Sequence, residues 1–206
     1  MPELPEVETV RKGLEKLTKD FHITKIYVLK ERSISSLGGS KKFINHIEDS
    51  YIDGWERRGK YLIGSLNKKN KHSKGYLVVH LRMTGQFKLI TKEIPPCSHT
   101  RVRFLGEGGK ELRFIDIRNF GQMWFSSTKK SLTDTVSGIK RLGPEPFSKD
   151  FNSCYLEKYL KNKKRSIKSA LLDQATVAGV GNIYADETLF DAGINPKTES
   201  RNLKKD

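Results

Sequence analysis

The sequence predicts an α+β protein in which an N-terminal helix and an antiparallel β-sandwich or barrel precede a helical region. Three observations predict this fold. Apolar residues recur at helical spacing over residues 5–17, short alternating segments follow as far as residue 125, and helical patterns return after residue 136. Many short strands separated by polar turns are typical of antiparallel sandwiches and barrels.

The first helix is amphipathic, because Val7, Val10, Leu14 and Leu17 recur on one face and charges occupy the other. Alternation then predicts strands over residues 21–29, 62–66, 76–81, 86–90, 99–104, 111–115 and 123–125. Polar or glycine-rich turns are predicted at residues 67–70 and 106–109.

The motif Gly143-Pro144-Glu145-Pro146 stops regular structure and indicates a bend between two domains, with the hinge inside residues 131–147. We divide the chain into domains 1–135 and 136–206. Helical patterns in the second domain cover residues 153–160, 167–172 and 182–191.

The charge balance points to a polyanionic partner. Lys and Arg number 39 against 24 Asp and Glu, which gives a net charge of +15. Such an excess is typical of nucleic-acid binding and less often of an anionic membrane surface. The alternative is a lysine-rich surface that is only solvated.

No window resembles a membrane span, and the N-terminus lacks the apolar core of a signal peptide, so we expect a cytosolic protein without a membrane partner. Its two cysteines, Cys97 and Cys154, are too few for a disulfide framework or a four-thiolate zinc site.

The chain begins Met1-Pro2-Glu3-Leu4-Pro5-Glu6. If Met1 is removed, Pro2 carries a free secondary amine, and α-amino groups titrate at about 7.7 to 8.0. Such an amine can attack a sugar aldehyde carbon to form a Schiff base, while Glu3 moves protons. The alternative is a plain helix start, which prolines and acidic residues also suit.

Three further motifs carry candidate DNA contacts. Arg58 and Lys60 are expected to share one face of a strand and meet phosphates, or else to protect a sheet edge. The turns that contain His80, Met83, Arg118 and Phe120 combine cations with apolar side chains, which act as core residues or as wedges in a duplex. The glycine turn 179–181 leads into a helix whose amides can hold a phosphate, or it is merely a tight turn.

Taken in order, these motifs resemble the formamidopyrimidine-DNA glycosylase family, bacterial base-excision repair enzymes for oxidised purines. The resemblance spans the chain, and Leu4 favours this branch over the endonuclease VIII relatives. It rests on Pro2-Glu3-Leu4-Pro5-Glu6-Val7-Glu8-Thr9, Arg58-Gly59-Lys60-Tyr61-Leu62, His80-Leu81-Arg82-Met83-Thr84-Gly85, Asp116-Ile117-Arg118-Asn119-Phe120-Gly121, Leu142-Gly143-Pro144-Glu145-Pro146 and Gly179-Val180-Gly181-Asn182-Ile183-Tyr184-Ala185-Asp186-Glu187.

The resemblance implies a chemical role for each matching residue at the lesion. Pro2 attacks the sugar carbon and displaces the base, Glu3 assists ring opening as acid and base, and Lys60 contacts the phosphate beside the lesion. Glu6 organises the lesion pocket, and Glu187 lies near the flipped base. The Schiff base then permits β,δ-elimination, so the resemblance implies an abasic-site lyase as well.

The remaining matches imply contacts to double-stranded DNA that carries oxidised purines or abasic sites. Met83, Arg118 and Phe120 fill the gap left by the flipped nucleotide, with Arg118 facing the orphaned cytosine. The expected backbone contacts are Arg58, His80, Asn119 and Asn182. The implied fold is an N-terminal catalytic β-sandwich and a helical part with a helix–two-turn–helix element, acting as a monomer in the bacterial cytosol at the nucleoid.

Two departures accompany the resemblance. Asn119 stands where family members have a second cation. The helix–two-turn–helix element ends after its first helix, at Asn195-Pro196-Lys197, and the four-cysteine zinc hairpin of full-length members is absent, so we expect no metal or other cofactor in this chain. The predicted enzyme therefore has an alternative, a catalytically weak or inactive DNA-binding fragment. A ribosome- or RNA-associated protein would explain the charge but none of the motifs.

Overall fold

The computed structural model describes residues 1–68 and 73–203, so part of the predicted turn 67–70 and the last three residues lie outside the described chain. The chain forms two compact units, Met1–Lys140 and Arg141–Asp206. This division falls after the expected domain boundary between residues 135 and 136.

The first unit is built mainly from strands. Its helices are α1 (Leu4–Leu17), α2 (Gly39–Ile47), α3 (Leu132–Thr135) and α4 (Ser137–Lys140). Its strands are β1 (Phe21–Ile23), β2 (Lys25–Val28), β3 (Ser50–Arg58), β4 (Tyr61–Asn67), β5 (Ser73–His80), β6 (Gly85–Ile90), β7 (Thr100–Leu105), β8 (Glu111–Asp116) and β9 (Gln122–Ser126).

These strands form two antiparallel sheets, with the orders β1-β3-β4-β5-β9 and β2-β7-β8-β6. Leu62 and Leu77 from one sheet share a buried core with Phe104 and Phe114 from the other. Because the sheets are separate and bury their apolar faces together, the first unit is a sandwich, as predicted.

Two parts of the first unit differ from expectation. The single strand predicted over residues 21–29 is two strands, since the chain leaves one sheet after β1 and joins the other as β2. Strand β3 and helix α2 were not predicted. In β3 a register shift between Ile52 and Gly54 interrupts the alternation by which strands are recognised.

Helix α1 is fastened to β3 by side chains along its length. Arg57 Nε donates to Glu8 Oε2 at 3.0 Å, and the backbone N–H of Trp55 donates to Glu15 Oε2 at 2.6 Å. The Trp55 indole N–H donates to Thr18 Oγ1 at 2.9 Å. These bonds hold the helix, and therefore the N-terminus that precedes it, on the sandwich.

The second unit contains α5 (Ser153–Leu160), α6 (Ile167–Leu172) and α7 (Asn182–Asp191), with the bounds that the sequence predicts. Side chains of Asn152 and Ser166 cap α5 and α6 by accepting backbone N–H bonds. The helices bury Leu160, Ile167, Ala170, Leu171, Val177, Ala185 and Leu189. In the described chain, no helix is both long and apolar enough to cross a membrane.

Glu111 joins two arginines inside the second sheet. Arg103 Nε and Arg113 Nε each donate to its Oε1 at 2.6 Å, and Arg113 is buried. We expect Glu111→Gln to lower the free energy of unfolding by about 3 kcal/mol, because a buried guanidinium loses its counter-charge. Urea unfolding followed by tryptophan fluorescence measures this in the first unit, which holds both Trp55 and Trp124.

The matched control is Glu93→Gln, which makes the same change at an exposed position. Equal, small effects of the two substitutions would show that the Glu111 network does not stabilise the sheet.

Candidate active site and nucleic-acid interface

The head of α1 brings the predicted catalytic carboxylate Glu3 together with Glu6, a predicted residue of the lesion pocket. Glu3 is the N-cap and forms a capping box with Glu6: its side chain accepts from the Glu6 backbone, and the backbone N–H of Glu3 donates to Glu6 Oε2 at 2.8 Å. Glu3 is buried, Glu6 is exposed and the preceding Pro2 is partly buried. The capping box therefore holds the segment that follows the predicted nucleophile.

Lys60 occupies a hairpin turn rather than a strand. Arg58 at the end of β3 pairs with Tyr61 at the start of β4, which leaves Gly59 and Lys60 as the two turn residues. Gly59 has a φ of 55°, a conformation that glycine adopts readily. The expectation that Arg58 and Lys60 share one strand face is therefore wrong, because strand alternation ends where the hairpin turns.

The Lys60 amine is buried, with 5% of the residue exposed. Burial lowers the pKa of Lys60 below its usual value because it penalises the ammonium form, while the charges of Glu3 and Glu6 act in the opposite direction. This coupling puts Lys60 within electrostatic reach of the head of α1. The Lys60 amine thus interacts electrostatically with the two carboxylates that follow the predicted nucleophile Pro2.

Arg57 links the Lys60 turn to α1. Its Nε donates to Glu8, and its Nη1 donates to the Gly59 carbonyl at 2.9 Å. Arg57 was not predicted as a site residue. Its contacts give it a positioning role, since one guanidinium fixes the helix and the turn together.

His80 ends β5 beside the Lys60 turn, in register with Tyr61 and in edge-on contact with its ring at 4.7 Å. Burial lowers the pKa of His80 to about 3, and the positive charges of Arg82 and Lys60 act in the same direction. The backbone N–H of Arg82 donates to His80 Nδ1 at 3.0 Å. The proton of the neutral ring is therefore assigned to Nε2, which makes this nitrogen a hydrogen-bond donor.

Two loops that carry the predicted wedge residues meet at the buried carboxylate of Asp116. One loop follows β5 and contains Met83 and Thr84; the other follows β8 and contains Arg118. Thr84 Oγ1 donates to Asp116 Oδ1, and the Arg118 backbone N–H donates to Thr84 Oγ1 at 3.0 Å. The backbone N–H of Gly121 donates to Asp116 Oδ2 at 2.6 Å.

The wedge residues project from these fixed loops. Met83 is 42% exposed and Phe120 is 38% exposed, while Arg118 is also exposed. The Arg118 guanidinium lies 5.2 Å from the centroid of the Phe120 ring. Asn119 has a φ of 55°, which asparagine tolerates better than most residues, and its side-chain oxygen accepts from Ser33 Oγ at 3.3 Å.

Gln122 joins the first loop to a third segment of chain. Its Oε1 accepts from Arg82 Nε at 3.1 Å, and its Nε2 donates to Ser35 Oγ at 2.9 Å. Thr84, Asp116 and Gln122 were not predicted as site residues. Thr84 and Asp116 belong to recognised motifs, but no spacing in the sequence signals their contact.

In the second unit, the glycine turn before α7 is held by Gln174, another residue that sequence reasoning missed. Gln174 Oε1 accepts from the Gly179 backbone at 2.9 Å, and its Nε2 donates to the Val180 carbonyl at 2.8 Å. Gly179 has a φ of 89°. Asn182 is the first residue of α7 and is exposed, as is Glu187 five residues further along the helix.

Not all of the basic residues near α6 remain available for a ligand. Arg165 Nη1 pairs with Asp173 at 2.7 Å, and Lys168 Nζ pairs with Asp186 at 2.7 Å. Both ion pairs lie within the helical unit, so the charges of Arg165 and Lys168 are already balanced by carboxylates of that unit.

Within residues 1–68 and 73–203, no three His, Cys, Asp or Glu residues gather as metal ligands. Cys97 and Cys154 are both exposed and lie in different units. The described residues therefore do not fit the four-cysteine zinc centre that the resemblance associates with full-length family members.

Comparison with known proteins shows the family of this chain. Residues 1–123 match the formamidopyrimidine-DNA glycosylase N-terminal domain, and residues 142–206 match the H2TH domain of the same enzymes. The chain belongs to the formamidopyrimidine-DNA glycosylase family. A formamidopyrimidine-DNA glycosylase of Prochlorococcus marinus strain NATL1A is 76% identical over 204 residues, which are 99% of this chain and 72% of that protein.

More distant relatives give the same result. The formamidopyrimidine-DNA glycosylase of Parasynechococcus marenigrum strain WH8102 is 52% identical over 98% of this chain and 72% of its own length. A solved complex of Lactococcus lactis Fpg with abasic-site DNA superimposes with a TM-score of 0.87 at 35% identity, covering 98% of this chain and 71% of that one. The family and the α+β fold predicted from the sequence are thus confirmed.

The role of Asp116 can be tested by Asp116→Asn. The amide nitrogen cannot accept a hydrogen bond, so one buried donor loses its partner, and we expect the free energy of unfolding to fall by about 2 kcal/mol. Urea unfolding measures the change. Asp53→Asn alters an exposed carboxylate and is the control; similar stability of both variants would contradict a joining role for Asp116.

The buried neutral His80 predicts a pH dependence of stability. Since the folded pKa lies below the unfolded value of about 6.5, the unfolded state binds the proton first, and stability falls as the pH drops below that value. Between pH 7 and pH 5, the wild type should lose about 2 kcal/mol more than His80→Asn. Urea unfolding at each pH checks this, with the exposed His99→Asn as control. Parallel wild-type and His80→Asn profiles would refute the expectation.

Proposed function

We propose that this protein is a bifunctional DNA glycosylase and abasic-site lyase that removes oxidised purines through the amine of Pro2. The observation that carries the proposal is the head of α1. There the residue before a buried carboxylate, Glu3, would become the N-terminus, and a buried amine, Lys60, lies within electrostatic reach. Family membership supports the reaction class.

The chemistry begins with removal of Met1, which frees the secondary amine of Pro2. Attack of this nitrogen on the sugar carbon C1′ forms a C–N bond, and the glycosidic bond breaks with its electron pair leaving on the base. The proton that the nitrogen loses on becoming a tertiary amine balances the proton that the departing base takes up. A proton supplied to the ring oxygen by Glu3 opens the sugar and leaves an iminium ion. Loss of acidic sugar protons from this Schiff base then expels the 3′ and 5′ phosphates in turn.

Lys60 and His80 suit the phosphate beside the lesion. Lys60 supplies a charge, and His80 Nε2–H supplies a neutral donor whose state does not change near pH 7. A neutral donor orients a phosphate without adding a second positive charge beside Lys60. A DNA substrate is supported by two solved complexes of Lactococcus lactis Fpg, one with DNA that contains an abasic site and one with DNA that contains Fapy-dG.

Base removal requires the damaged nucleotide to leave the helix, and the gap must then be filled. Met83, Phe120 and Arg118 suit this task because their exposed side chains stand on loops fixed by Asp116. Because these hydrogen bonds already order the two loops, placing them against a duplex costs little further loss of backbone conformational entropy.

In the second unit, Asn182 and the amides that begin α7 suit a further phosphate, helped by the helix dipole. We assign Glu187 to the flipped base on the resemblance alone. The remaining assigned backbone contacts are Arg58 and Asn119, and Asn119 offers an amide where other members carry a charge.

A second candidate function is DNA binding without turnover. The net charge of +15 would serve binding without turnover equally well. The chain spans about 72% of the length of these curated relatives. Retention of Pro2, Glu3 and Lys60 favours the enzyme, since binding alone needs none of them.

Borohydride trapping on a duplex with one abasic site tests the chemistry. We expect a covalent adduct by intact mass, and peptide mapping should locate it on Pro2 rather than on Lys60, the rival amine. A variant that keeps Met1 moves the free amine by one residue, about 3.8 Å, and should lose the adduct. Lys60→Arg keeps a phosphate-binding charge and should still be trapped through Pro2.

An adduct mapped to Lys60 would overturn the role of Pro2. No adduct from a chain that binds the duplex and has lost Met1 would support the DNA-binding candidate instead. Excision of 8-oxoguanine from a duplex by the 206-residue chain would exclude an inactive fragment.

A further inference from the structure

The Phe120 ring is contacted by two guanidinium groups. The carbon Cζ of Arg118 lies 5.2 Å from the ring centroid, and Cζ of Arg32 lies 5.3 Å from it. Arg32 belongs to a short 3-10 turn, Glu31–Ser33, that no sequence motif connects with the wedge loops. Both distances are within the range of a cation–π interaction.

This turn is fastened to the loop that carries Phe120. Ser33 Oγ donates to Asn119 Oδ1 at 3.3 Å, and the next residue, Ile34, forms a parallel bridge with Met123 of β9. The Ser35 backbone N–H donates to the Met123 carbonyl at 2.8 Å. Arg32 is therefore positioned by the same framework that holds the wedge.

The charge of Arg32 is not neutralised locally. Its neighbour Glu31 accepts a hydrogen bond from the backbone N–H of Ser40 at 2.8 Å, and the side chain and backbone of Ser40 together lower the pKa of Glu31. Over residues 1–68 and 73–203, neither Arg32 nor Arg118 forms an ion pair. Two exposed cations thus stand beside an exposed aromatic ring, an arrangement suited to a polyanion that also stacks.

We propose that Arg32 is a DNA-binding residue of the wedge: it holds the Phe120 ring with one part of its guanidinium and contacts a backbone phosphate of the duplex with the other. This inference rests on the proposed function. The planar guanidinium suits both tasks, since it stacks on aromatic faces and presents several N–H donors. It gives the protein a cation on this surface in addition to Arg118, from a segment distant in sequence.

The experiment measures binding of the full chain to a duplex with a tetrahydrofuran abasic analogue over a series of salt concentrations. Arg32→Gln should weaken binding about tenfold at low salt and reduce the slope of log K against log salt by about 0.9, the value of one phosphate contact. Arg32→Lys should retain the slope. A 2-aminopurine beside the analogue should unstack less in both variants, because neither side chain stacks as arginine does.

Lys25→Gln is the matched control. Lys25 is exposed and lies 5.2 Å from the Tyr27 ring, so it also pairs a cation with an exposed aromatic. It pairs with Leu105, whereas the wedge loops lie at the Gly85–Asp116 end of the same sheet. This substitution should leave both the salt slope and the 2-aminopurine signal as in the wild type.

The inference would be overturned if Arg32→Gln bound the duplex as tightly as the wild type, with the same salt slope and the same 2-aminopurine signal. The proposed function would then remain intact. An equal loss of slope in Lys25→Gln would also overturn it, because the effect would then be one of general charge. Failure of the wild type to bind the duplex would overturn the proposed function and this inference together. Thermal melting of the Arg32 variants verifies that they are folded.

Discussion

The buried carboxylate of Asp116 is the contact on which the arrangement of the wedge depends. It accepts hydrogen bonds from the Thr84 hydroxyl and from the backbone N–H of Gly121, and the backbone carbonyl of Asp116 accepts from Arg101 Nε at 2.7 Å. The glycines at the two loop ends permit this approach, since a Cβ on Gly85 or Gly121 would meet Phe114 within 2.8 Å. One side chain thereby sets the positions of both loops.

At the head of α1, the Glu3 carboxylate likewise has a structural role in addition to the chemical role that we propose for it. A helix start needs acceptors for its first N–H groups, and Glu3 and Glu6 supply them reciprocally. The Glu3 carboxylate, which we assign to proton transfer, is thus held in place because it caps the start of α1. Burial of Lys60 beside it opposes the charged amine, while the two carboxylates favour it, so the charges of this cluster depend on one another.

Much of the fold follows from local rules. The helices of the second unit agree with their sequence patterns because apolar spacing and capping by Asn152 and Ser166 act within a few residues. The strand over residues 21–29 was mispredicted because alternation does not reveal that a chain changes sheets. The shared face of Arg58 and Lys60 was wrong for a related reason: pairing with Tyr61 turns that segment into a hairpin.

The sequence by itself determined the family, the α+β class and most of the residues proposed to act on DNA, because these lie in contiguous motifs. The tertiary structure decided which distant residues meet: Thr84 with Asp116, and Arg32 with Phe120. It also decided that His80 is neutral, since burial acts on a side chain only after the strands enclose it. Contacts and desolvation of this kind depend on sheet register and packing, which a short motif does not encode.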